Sequence, residues 1–164
     1  MTWMQAVVRH AFPIAAFALA MGAIYPGHLS WDSAFLLWQA RTGHYYNVAP
    51  AAMPILWGAI QSIWPGSGGL FTLQVALFTG GVWAIACALF SSTGLRVLAT
   101  ILAFLGTPAF LIVTHLWTDA IMIACLTAGC GLTVLGDLRR SRAALFSAVP
   151  LFVLGGMIRH NAAP

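Results

Sequence analysis

VLATILAFLGTPAFLIVTHLWTDAIMIACLTAGCGLTVLG, residues 97–136, is forty residues long and carries one charge, Asp119. About 20 apolar residues suffice for a helix to cross a bilayer, so this stretch is long enough to cross twice. Its polar residues gather at His115-Leu116-Trp117-Thr118-Asp119, which places the break there and predicts spans over 97–114 and 120–136. That reading sets the class, an all-α polytopic membrane helix bundle.

Working outward, residues 137–142 form a basic loop with Arg139, Arg140 and Arg142, and 143–158 form a last span that contains Pro150 and ends at Arg159-His160-Asn161. Upstream, 70–90 is a span with Ala76, Gly80, Ala84 and Ala88 at a four-residue period, which predicts close approach by another helix. The first span covers 7–25, is ended by Pro26-Gly27, and reads as an uncleaved signal anchor behind Arg9.

The chain as a whole agrees. Of its 164 residues 61% are hydrophobic and 6% charged, against about a quarter charged in soluble domains. The cations are all arginines between apolar runs, so the net charge of +4 reflects membrane topology and excludes a nucleic-acid footprint. Cys87, Cys125 and Cys130 lie inside apolar runs with no CxxC pair and read as packing residues. Without lysine there is neither a Walker-type phosphate loop nor Schiff-base chemistry, and no GxSxG elbow is present.

Residues 26–69 make the first extracytoplasmic loop of a single membrane domain covering 1–164. Residues 30–41 predict a short helix with Ser30 or Asp32 as N-cap and Gly43 beyond its end. Trp31, Ala34, Phe35 and Trp38 share one face, as in a helix lying at the membrane interface. A second helix over 54–64 follows, broken by Pro65-Gly66-Ser67-Gly68-Gly69; it reaches only about 16 Å and is interfacial by length.

About five spans and a cytoplasmic N-terminus put Arg9, Arg96, Arg139, Arg140 and Arg142 inside, with Arg41 and Arg159 outside. A sixth span at 54–64 with an outer N-terminus gives the same partition; the shortness of that helix and the position of Arg9 favour five. The outer face then collects Asp32, Asp119, Arg159, four histidines (His28, His44, His115, His160) and the three tyrosines. Plainer readings stand beside this convergence. Asp32 and Asp119 can be helix caps, Arg159 can snorkel, and the tryptophans suit an interfacial belt.

Asp32, Gln39, Ala40, Gly43, Pro50 and Pro54 together resemble the first extracytoplasmic loop of GT-C glycosyltransferases, which include protein O-mannosyltransferases and lipid A aminoarabinose transferases. Thr118-Asp119 and Arg159-His160-Asn161 resemble the acid and basic residue that some bacterial members present at later span ends. The resemblance implies inverting transfer of a sugar from a polyprenyl-phosphate donor to a lipid, glycan or protein acceptor, in a bacterial inner membrane. It implies a longer protein, of which this chain is the N-terminal part. Asp32 and Asp119 are its candidate catalytic acids, with Arg159, His160, Gln39, Tyr45 and Tyr46 as candidate substrate contacts. A divalent cation is a candidate cofactor, although Ser33 stands where many relatives carry a second acid. The competing expectation is a non-enzymatic membrane subunit or transporter in which Asp119 and Arg159 form a charge pair.

Overall fold

The computed structural model describes residues 3–46, 50–105 and 108–159, and every regular element among them is helical. These are α1 (Trp3–Ile24), α2 (Trp31–Thr42), α3 (Ala52–Gln61), α4 (Gly68–Leu89), α5 (Thr93–Leu105), α6 (Pro108–Val113), α7 (Thr118–Leu138) and α8 (Arg142–Ile158).

The centre is the α4–α7 pair, with α8 on the other side of α7 and α1 and α5 against α4. At 22 and 21 residues, α4 and α7 are long and apolar enough to cross a membrane. The apolar stretches Ala11–Ile24, Thr93–Leu105 and Arg142–Ile158 are shorter. Length and composition therefore single out two of the expected spans.

Glycine sets how closely α4 and α7 approach. A Cβ on Gly81 would lie 2.6 Å from the backbone nitrogen of Ala128, and one on Gly131 would lie 2.7 Å from the Gly81 carbonyl oxygen. Of the expected stripe Ala76, Gly80, Ala84 and Ala88, Ala84 is at the contact, 2.9 Å from where a Gly131 Cβ would stand, whereas Ala76 and Gly80 are exposed and nothing lies within 4 Å of a Cβ at Gly80. The buried row beside it holds Gln74, Phe78 and Gly81. A four-residue period gives the spacing of a row, and the large side chains beside it decide which row faces the neighbour.

Within the expected span 97–114 the described residues form α5 and α6, on either side of 106–107, which lie outside the described residues. Pro108 opens α6, consistent with a residue that has no N–H to donate and whose ring would clash with the carbonyl four positions back. Pro150, by contrast, lies within α8 without ending it.

The first loop carries the two expected short helices. Local chemistry fixes α2 at both ends: Ser30 and Ser33 form a reciprocal capping box, and Gly43 takes the left-handed conformation at φ 70°. Its inward face is Ser33, Leu36 and Gln39. The aromatic face points away from the protein, with Trp31 89% exposed. α3 has 10 residues, about 15 Å at the helical rise, and does not span. It begins at Ala52, placing Pro54 in the first turn, where N–H groups have no helical partner anyway. Trp57 of α3 is fully buried in a core with Met53, Leu70, Phe71, Ile121 and Ile158, so α3 roofs one end of the helix layer.

Candidate functional site

The chain leaves α1 through Gly27 at φ 89°, where a Cβ would stand 2.7 Å from the Phe71 ring. Glycine there lets the backbone pass over α4 and reach the α6–α7 junction. His28 N–H donates to the Thr114 carbonyl at 3.1 Å, and Leu116 N–H donates to the His28 carbonyl at 3.1 Å. This is a parallel bridge between His28 and His115. Their rings lie 5.2 Å apart, and the Trp117 ring lies 4.8 Å from that of His115.

Two residues further along, the Trp117 indole N–H donates to Ser30 Oγ at 2.8 Å, a separation of 87 positions. His28 and His115 are separated by the same number, and so are Asp32 and Asp119. The helices α2 and α7 therefore begin in register, each with an aspartate as its second residue. The stitch aligns the two acids along the chain without bonding them to each other.

Asp119 does not cap α7, whose N-cap is Trp117 with no side-chain hydrogen bond. Its carboxylate accepts from Arg159 Nη1 in an ion pair whose side chains are 36% and 38% exposed, respectively. Each charge suits its helix, since an acid is favoured in the first turn of α7 and a cation at the end of α8. With this exposure the pair contributes about 0.2–1 kcal/mol to stability. Asp32 is exposed and has no partner among the described residues. The cap belongs to Ser30, so the carboxylate of Asp32 is left unengaged.

The other expected contacts lie at the far end of α2. Gln39 is fully buried; its Oε1 accepts from the Tyr46 backbone N–H at 3.1 Å, and its Nε2 has no partner among the described residues. It holds the start of the loop that follows α2. The Tyr46 ring packs 5.8 Å from both Trp38 and Phe35, while Tyr45 is exposed. Asp32, Asp119 and Arg159 thus share the stitched end, while Gln39, Tyr45 and Tyr46 form a separate aromatic edge. His160 lies outside the described residues. Among the described residues no group of three or more His, Cys, Asp or Glu side chains could hold a metal ion.

One contributor was not anticipated. Gln74, fully buried in α4, donates from Nε2 to the carbonyls of Val113 and His115, the latter at 3.0 Å. It anchors the same junction from below. As the lone side-chain amide in the apolar run 70–90, it was the available sequence signal. The stitched end thus has an exposed carboxylate, Asp32, at the start of α2, and a guanidinium paired with a second carboxylate where α8 ends against the start of α7. No protein-family model, curated protein or solved structure matches this chain.

Proposed function

We propose that this chain is a membrane-embedded glycosyltransferase, or the part of one, that moves a sugar from a polyprenyl-phosphate donor to an acceptor hydroxyl. Its spans are α1, α4, the α5–α6 pair, α7 and α8, with α2 and α3 lying at the outer interface. The observation that carries this reading is the stitch from His28 to Trp117, which brings the start of α2 to the end that also holds Asp119 and Arg159.

Asp32 is the general base. It is a carboxylate with access to solvent and no competing partner among the described residues, as proton abstraction from an acceptor hydroxyl requires. The acceptor oxygen forms a bond to the sugar C1 as the C1–O bond to phosphate breaks, and the hydroxyl proton passes to Asp32. Arg159 meets the charge that develops on the departing phosphate, and Asp119 is a positioning residue that holds the guanidinium in place. Asp32→Asn in membranes is expected to lower sugar transfer by about 10²-fold or more with membrane insertion unchanged. Retained transfer would remove Asp32 from the mechanism.

The ion pair itself also favours a second reading, a non-enzymatic subunit in which Asp119 and Arg159 only clamp α8 to α7. Exchanging the two residues, Asp119→Arg with Arg159→Asp, keeps a clamp but moves the cation. Under the transferase reading it abolishes transfer; under the clamp reading it leaves the protein folded and inserted, with a small loss of stability because both charges then oppose their helix ends.

A further inference from the structure

The end of the helix layer away from the stitch gathers cations. Gly81 meets Ala128 and Ala84 meets Gly131, both pairs 47 positions apart, so α4 and α7 run parallel and Leu89, the last residue of α4, comes level with Gly136. The α4–α5 and α7–α8 turns therefore share one end, which carries Arg96, Arg139, Arg140 and Arg142 against a single acid, Asp137. The other two acids of the chain, Asp32 and Asp119, stand at the starts of α2 and α7, at the opposite end.

Three of these cations crowd onto one tight reversal. Gly136 lets α8 start close against α7, since a Cβ there would stand 3.1 Å from the Ala144 side chain. Ser141 N–H donates to the Gly136 carbonyl at 2.8 Å, and the Ser141 hydroxyl caps α8. Arg139, Arg140 and Arg142 are exposed, and none of their guanidinium groups has an ion-pair or hydrogen-bond partner among the described residues. Arg96 differs, because its Nε donates to the Phe90 carbonyl at 2.7 Å. Arg140 also takes φ 51°, a left-handed backbone that glycine adopts without steric cost and other residues uncommonly.

The surroundings narrow the partner. Leu138, Leu145 and Phe146 are exposed beside the arginines, and Arg142, Leu145 and Phe146 line one open hollow. Phe146 follows Arg142 by four residues, so cation and hydrocarbon contacts lie about 6 Å apart along α8 at the helical rise. α7 is long and apolar enough to cross a membrane, and the arginines follow directly on its last residue, Leu138. A nucleic acid or a soluble phosphate leaves the apolar half of this surface unused. The ligand that matches both halves is an amphiphile whose anionic group stands at the root of its hydrocarbon chains. Guanidinium pairs bidentately with phosphate, and an excess of cations favours a headgroup of net negative charge over a zwitterionic one.

We propose that the α7–α8 turn is a binding site for an anionic phospholipid, with the phosphate among Arg139, Arg140 and Arg142 and the chains against Leu145 and Phe146, in the leaflet opposite the one on which α2 lies. The proposal rests on the membrane placement of α7 and α8 and not on the transferase reading. Its test uses the full chain in phosphatidylcholine nanodiscs doped with phosphatidylglycerol or phosphatidylcholine spin-labelled near the top of one acyl chain, and electron paramagnetic resonance reads the fraction of each lipid held at the protein. Labelled phosphatidylglycerol is expected to be held severalfold more than labelled phosphatidylcholine. Arg140→Gly and Arg142→Gln are each expected to remove much of that preference. Because Arg140→Gly relieves the left-handed backbone, it is expected to unfold no earlier than the unaltered protein, which separates loss of the site from loss of the fold. Arg41→Gln, in the exposed last turn of α2, is expected to leave the preference unchanged.

Equal retention of the two lipids, or a preference that survives Arg140→Gly combined with Arg142→Gln, would overturn the proposal. So would an equal fall in Arg41→Gln, which would assign the preference to the net charge of the whole protein. Displacement of the labelled phosphatidylglycerol by glycerol 3-phosphate would overturn it too, since the site would then take a soluble phosphate. Release of the protein from membranes by alkaline carbonate would remove the membrane placement together with this site, whereas an integral protein without the preference loses this site alone and leaves the transferase reading standing.

Discussion

The Trp117 indole and the Ser30 hydroxyl meet at 2.8 Å, and the same Ser30 Oγ accepts from the Ser33 backbone N–H at 3.2 Å. One oxygen thus starts α2 and ties that start to the beginning of α7. Ser30→Ala removes both bonds and is expected to cost about 1–2 kcal/mol. Trp117→Phe removes only the tie and is expected to cost less. Thermal unfolding in detergent checks both, and an equal loss in the two variants would mean that the cap contributes nothing.

The Asp119–Arg159 pair separates stability from activity. Both side chains are more than a third exposed, so a double-mutant cycle with Asp119→Asn and Arg159→Gln is expected to give a coupling below about 1 kcal/mol in unfolding. Under the proposed function, transfer falls steeply in each single variant, because the phosphate loses its cation in one and the cation loses its orientation in the other. A large coupling in stability with intact transfer would make the pair a structural clamp.

Neighbouring glycines in α4 should behave in opposite ways. A methyl group on Gly81 would press on the backbone of Ala128, whereas one on Gly80 would meet nothing. Gly81→Ala is therefore expected to cost about 1–3 kcal/mol through forced separation of α4 and α7. Gly80→Ala is expected to be neutral or slightly stabilising, as alanine is the better helix former. Unfolding by a denaturing detergent, titrated against a mild one, measures the difference.

These positions also show what could be read from the residues alone. The limits of α2 were legible because Ser30 and Gly43 act within one turn of themselves. The shortness of α3 followed from Pro54 and the Pro65–Gly69 break. The stripe through Gly80 met its neighbour only at Ala84, because helix facing is decided by partners distant in sequence. The His28–His115 bridge left no trace at all, since backbone hydrogen bonds carry no side-chain signature. Topology alone offered Asp32, Asp119 and Arg159 as an expected cluster on one face; the bridge that joins the starts of α2 and α7 could not be read from it. The inward backbone contact of Gln39 was likewise not legible, because its partner, the Tyr46 N–H, lies beyond the end of the helix.

Gln74 supplies the sharpest test of that junction. Its Nε2 serves the carbonyls of Val113 and His115 where the α6 helix ends and has no further N–H groups of its own to offer. Gln74→Leu leaves those carbonyls without this donor and is expected to cost about 1–3 kcal/mol. Gln74→Glu keeps the shape, but a carboxylate there has no N–H to give them and is expected to cost at least as much. Unfolding midpoints of both variants in detergent check this. Midpoints equal to that of the unaltered protein would mean that water or a rearranged backbone already serves those carbonyls, and the junction would then not depend on Gln74.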